Sequence, residues 1–177
     1  MQPPKLEKIK KKHTFHSYEI EDDWHYLEDN WQEIVKDPTK LSKKITDYIK
    51  IPNKSPAFDP DWERAGHMDK VLDLANNWAE KHRPKNSTLH IKRLKGRTPL
   101  IMLDIPGERE GNVLMYGHLD KQPEMEGWRD GFGPWTPKIV DEKLYGRGGA
   151  DDGYALFASL GIVKSLKKQN VALPRIV

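Results

Sequence analysis

The segment NVLMYGHLD, residues 112–120, restricts the folds open to this chain more than any other. Val113, Leu114, Met115 and Tyr116 follow one another with no polar residue between them. A strand that alternates can leave one face in water, whereas one that does not is expected to be covered on both. The run stops at Gly117 and delivers His118 and Asp120 at its carboxyl end. Residues i and i+2 of a strand point to the same side, so this imidazole and carboxylate are expected to converge. Open α/β sheets bind their ligands beyond the carboxyl ends of strands, which is where the pair lies. Taken alone, His118-x-Asp120 suits a structural His–Asp hydrogen bond as well as a metal ligand with its orienting carboxylate.

The rest of the chain predicts a layered α/β domain. Ile20, Trp24, Leu27, Trp31, Ile34 and Val35 recur at helical spacing over residues 17–36, with acidic residues in the early turns. Asp37-Pro38 ends that pattern. Leu41, Ile45, Tyr48 and Ile49 mark a second helix, stopped at Ile51-Pro52. Val71, Leu72, Leu74, Ala75, Trp78 and Ala79 mark a third over residues 63–82. After Ser87 the period changes. TLHIKRL alternates, PLIMLDI is an apolar run ending at Pro106-Gly107, and with residues 112–118 they make three strands.

Residues 127–137, rich in Gly, Pro and Trp, form a long structured loop in this reading, with Trp128 and Trp135 as loop packing. KIVDEKLYGR predicts a hairpin turning near Asp141-Glu142. A helix opens at Asp151 or Asp152 and runs to Lys167-Lys168, and LPRIV starts a further strand. The expected architecture is a helical segment, residues 1–86, then strands and site loops, residues 87–177. Together they make part of a mixed central sheet with flanking helices. A complete domain rarely stops two residues into an apolar strand, so a piece of a longer protein is expected.

Composition narrows the function classes. Thirty Lys/Arg against 27 Asp/Glu, spread along the chain, give a net charge of +3, which is no nucleic-acid footprint. The basic KLEKIKKK at residues 5–12 lacks interleaved aromatics and reads as a solvated arm. No run approaches the length of a spanning helix, and no apolar stretch follows the N-terminal charges. A cytoplasmic protein without signal peptide, membrane or nucleic-acid partner is expected. The absence of cysteine excludes disulfides and Cys-ligated zinc. His13 and His16 stand at i, i+3 without a carboxylate pattern and are read as surface residues; His25, His67, His82 and His90 have no supporting motif.

A second constellation is YGRGGADDGYALFASLGI, residues 145–162, in which Gly146, Gly148 and Gly149 lead to Asp151-Asp152 at a helix mouth. A phosphate loop fits badly. The dinucleotide fingerprint would need glycine where Asp151 stands, and no Gly-Lys-Ser/Thr follows. Two carboxylates there would repel an anion but suit a cation. An acidic N-cap accounts for one aspartate. It leaves the glycine run unexplained, and that run implies close approach of the backbone to something.

Together, HLDKQP and DEKLYGRGGADDG, with Asp151 33 residues after His118, resemble the M20 family of zinc-dependent exopeptidases and amidohydrolases. The QP after His-x-Asp and the following GWRDGFGPW look most like the dipeptidase branch, which includes carnosine and cytosolic non-specific dipeptidases. The resemblance covers residues 110–165. It implies a zinc-exopeptidase-like catalytic domain with two Zn2+ ions, Mn2+ or Co2+ being substitutes. His118 would ligate one ion, Asp151 would bridge both, Asp120 would orient His118, and a non-proline cis peptide would join Asp151 to Asp152.

The same resemblance puts the general-base glutamate, the other ligands and a lid or dimerisation domain beyond residue 177. The isolated chain is thus expected to be inactive, and the full-length protein to cleave dipeptides or small peptides from an end, with a homodimer as its possible assembly. An N-acyl-amino-acid deacylase shares both motifs, and a truncated, non-catalytic scaffold is the alternative from another class. One departure stands out: many relatives have Lys-Gly after the two acidic positions, where this chain has Gly153-Tyr154.

Overall fold

The computed structural model describes residues 11–15, 18–22, 38–141 and 143–177. The chain divides into two compact units, residues 1–41 and 42–177. In the first, Lys11–Phe15 (β1) pairs antiparallel with Tyr18–Asp22 (β2), Phe15 opposite Tyr18. This corrects the helix expected from residue 17. Ile20 belongs to Tyr18-Glu19-Ile20-Glu21, whose alternation is that of a strand, and not to a helical stripe with Trp24. The remainder of the expected helix, most of the basic arm, His16 and His25 lie outside the described residues.

Pro38–Ile49 (α1), which lies in the second unit from Ser42 onward, has proline at its first position, where the missing N–H leaves no helical bond unmade. Its last two residues, Tyr48 and Ile49, are fully buried. Trp62–Ala65 (α2) and His67–His82 (α3) replace the single helix expected over residues 63–82. Gly66 separates them with φ +68°, a left-handed conformation that ends α2. α3 buries Met68, Val71, Leu72, Ala75 and Ala79, one face of a 3.6-residue period.

Thr88–Lys92 (β3) pairs antiparallel with Leu100–Asp104 (β4), Thr88 opposite Asp104. Asn112–Val113 (β5) follows. Lys138–Val140 (β6) and Lys143–Tyr145 (β7) form the expected hairpin. A wide turn, Gly149–Gly153, leads into Ala155–Lys168 (α4), and Arg175–Ile176 (β8) pairs in parallel with β5. Ile105 and Ile176 exchange backbone hydrogen bonds of 2.8 and 3.0 Å, so β8 lies between the end of β4 and β5.

Two apolar clusters hold this unit together. Ala79, Ile105, Leu160, Val163, Leu173 and Ile176 join α3, α4 and β8, with Trp78 edge-on to Phe157 at 4.9 Å. Tyr48, Ile49, Met68 and Val71 join α1 to α3. The run after β5 is not covered on both faces as expected. Met115 packs on the first cluster, but Leu114 and Tyr116 are 79% and 81% exposed. The core covers one face only, and the apolar side chains here line an open cavity of about 340 Å³ with Leu103 and Leu156. Among the described residues no helix is long and apolar enough to cross a membrane.

Candidate metal centre

His118 stands five residues past β5, outside the strand expected over residues 112–118, with both ring nitrogens engaged. Its Nδ1 lies 3.2 Å from Asp120 Oδ1 and 3.1 Å from the Asp120 carbonyl oxygen. Both partners are acceptors, so Nδ1 carries a proton. The opposite nitrogen, Nε2, lies 3.3 Å from Asp151 Oδ1. In the neutral ring the Nε2 lone pair then faces a carboxylate oxygen, an arrangement that a cation between them relieves, whereas a doubly protonated ring would donate from Nε2 to Asp151. Two donors held tetrahedrally about 2.0–2.1 Å from one zinc ion are about 3.3 Å apart. The donor pair thus fits a divalent ion, and Asp151, 63% exposed, keeps it open to solvent.

Asp152 takes a separate part: its Oδ2 accepts a hydrogen bond from the backbone N–H of His118 at 3.3 Å. The Asp151-Asp152 peptide is cis. Neither aspartate is an N-cap of α4, which is preceded by Tyr154 and has no side-chain cap bond. The turn is closed by the Gly153 N–H donating to Gly148 O at 2.9 Å, and it brings both carboxylates to one histidine.

Residues 114–177 match the family model described as Peptidase family M20/M25/M40. That stretch is similar to the M20 peptidase family. The chain is 28% identical over 145 residues to an uncharacterized metallohydrolase of Methanocaldococcus jannaschii, covering 78% of this chain and 34% of that protein. It is 35% identical over 79 residues to human Beta-Ala-His dipeptidase, covering 43% of this chain and 15% of the dipeptidase. The structure of human carnosine dipeptidase 1 superposes with a TM-score of 0.62 at 23% identity, over 85% of this chain and 33% of that one. The Saccharomyces cerevisiae dipeptidase Dug1p gives 0.63 at 20%, over 86% and 33%. These two superpositions show the M20 peptidase fold. The chain spans about a third of the metallohydrolase and about a sixth of the human dipeptidase it matches.

Within the matched segment the glycines mark close approach to the protein's own side chains. A Cβ on Gly146 would stand 2.6 Å from Ile49 Cγ2, and one on Gly148 2.7 Å from Lys121 Cγ. A Cβ on Gly153 would stand 2.0 Å from Tyr48 Cε1. Gly117, before His118, is held equally tightly, its Cβ position 2.6 Å from Ala155 Cβ.

Three residues not singled out from the sequence support the site. Tyr48 Oη and Asn53 Nδ2 both donate to the carbonyl of Leu119, between His118 and Asp120, at 2.9 and 2.6 Å. Lys121, 1% exposed, donates from Nζ to Tyr48 O at 2.7 Å, to Asn53 Oδ1 at 2.9 Å and to Ile51 O. Desolvation pushes its pKa down to about 7, although three short acceptors match the three donors of an ammonium. Burial, and then the charges of Asp120, Asp151 and Asp152, push the Tyr48 phenol up, so it remains a donor. Nothing in one sequence separates Lys121 from the exposed lysines around it, because full burial is rare for that residue. Trp128, whose Nε1 donates to Glu124 O at 2.9 Å, packs within its loop.

Proposed function

We propose that this chain is part of an M20-type hydrolase that cleaves dipeptides or small peptides from an end, and that it supplies one half of the enzyme's binuclear zinc site. The observation that carries the proposal is the pairing of His118 Nε2 with Asp151 Oδ1 at 3.3 Å, while Asp120 holds Nδ1. A divalent ion held by His118 and Asp151 would supply polarisation of a scissile carbonyl and a lowered pKa for a water molecule. His118 offers the Nε2 lone pair. Asp120 fixes the tautomer and raises the basicity of the ring. Asp151, more exposed than His118, would hold a second ion through its other oxygen, and Asp152 steadies the His118 backbone.

The curated relatives named Beta-Ala-His dipeptidase support a dipeptide as substrate. Among the described residues no group of three or more His, Asp or Glu is placed to hold an ion. A catalytic zinc takes three protein ligands, so the remaining ligands and the general base come from elsewhere in the working protein. That protein works in the cytoplasm on small peptides, as a homodimer, with no nucleic-acid or membrane partner.

The test is zinc or manganese titration of the chain and of His118→Ala, with dipeptide cleavage assayed in parallel. Weak, His118-dependent binding without turnover is expected. Turnover by the isolated chain, or submicromolar binding, contradicts a half site. Zinc binding indifferent to His118→Ala favours a scaffold, and cleavage of N-acyl amino acids in place of dipeptides by the full-length protein favours a deacylase.

A further inference from the structure

We infer that Tyr48 and Lys121 form a bracket on the C-terminal end of α1 that sets the separation of His118 and Asp151. The inference rests on the metal-site reading above and assigns both as positioning residues.

The last carbonyls of a helix have no partners within it. Here Tyr48 O accepts from Ile51 N–H at 3.1 Å and also from Lys121 Nζ at 2.7 Å, 73 residues further along the chain, and Ile49 O lies 3.5 Å from the same nitrogen. A cation is favoured at that end by the helix dipole as well. The Lys121 backbone is fixed to the loop after α1: its N–H donates to Asn53 O at 3.0 Å, and its carbonyl accepts from Ser55 N at 2.9 Å. His118 and Asp120 lie within three residues of this anchor.

Each bracket residue touches both halves of the site. The Tyr48 hydroxyl holds the Leu119 carbonyl at 2.9 Å, inside the His118-x-Asp120 motif. The ring edge of the same Tyr48 abuts Gly153, one residue past Asp152. Lys121 holds α1 with its ammonium while its aliphatic stem abuts Gly148, at the start of the Asp151 turn. The two loops are therefore referred to one rigid helix end, independently of their direct contact at His118. Tyr48 also accounts for the departure at Gly153: its ring occupies the space that a side chain at 153 would need.

The experiment compares Tyr48→Phe and Lys121→Met with Val163→Ala, a core change in the other apolar cluster. Each is measured for zinc affinity by titration and for melting temperature. Tyr48→Phe keeps the ring on Gly153 and removes only the bond to Leu119, so it remains informative if Lys121→Met does not fold. Bracket variants are expected to weaken zinc binding about ten-fold, as loss of outer-shell partners does. Val163→Ala is expected to lower the melting temperature while binding zinc as the parent does. Parental affinity in the bracket variants, or an equal loss in Val163→Ala, overturns the bracket. His118→Ala separates the two ideas: binding that survives it overturns the metal site, whereas His118-dependent binding indifferent to the bracket variants overturns the bracket alone.

Discussion

Tyr48 and Gly153 meet so closely that a Cβ at position 153 would stand 2.0 Å from Tyr48 Cε1. Gly153→Ala is therefore expected to destabilise the chain by about 1–3 kcal/mol or more, the range for overpacking. Gly161, on α4, is the internal control, since nothing lies within 4 Å of its Cβ position. Gly161→Ala is expected to stabilise by about 0.5–1 kcal/mol through helix propensity. Urea unfolding of the two variants checks this, and effects of the same sign would contradict the packing described.

Lys121 ties stability to pH. The unfolded lysine keeps its proton to about pH 10.5, whereas the buried one releases it near 7. Between those values the unfolded state binds more protons, so stability contributed by this group rises with pH through that window. Below 7 both states are protonated and the dependence vanishes. Thermal melts of the parent and of Lys121→Met from pH 6 to 10.5 should show a rise that the variant lacks; parallel profiles would contradict a desolvated lysine.

Asp120 acts on the imidazole through Nδ1, 3.2 Å from its Oδ1. Asp120→Asn removes the charge but leaves an acceptor, and the Asp120 carbonyl at 3.1 Å still accepts from the ring. Zinc affinity is expected to fall by about ten-fold, the low end for loss of an outer-shell partner. Competition with a chelating dye measures it, and unchanged affinity would remove Asp120 from the site.

The site motifs were legible because strand and helix ends carry local signals. The His118-x-Asp120 spacing and the glycine run before Asp151-Asp152 singled out two segments, and the structure brings them together at His118 and Asp151. The strands at residues 100–104 and 175–176 followed from apolar runs, whereas the pairing of Ile105 with Ile176 did not. What one sequence cannot carry is who faces whom across 70 residues, and Lys121 on Tyr48 O is such a contact. Gly66 inside an apparently continuous helix, and the strand alternation of residues 18–21 next to a helical pattern, were misread for a local reason. Periodicity averages over a window and blurs a single break. The coverage expected around Leu114 and Tyr116 failed because an apolar run shows what a strand can bury, not what lies beside it.

The central claim is that His118 Nε2 and Asp151 hold one ion. Nitrogen-detected NMR of the imidazole rings during zinc titration tests it most directly. The account predicts that His118 Nε2 shifts on metal binding while Nδ1 keeps its proton, and that Asp151→Asn weakens the response. A response at Nδ1, at another histidine, or unchanged by Asp151→Asn would contradict it.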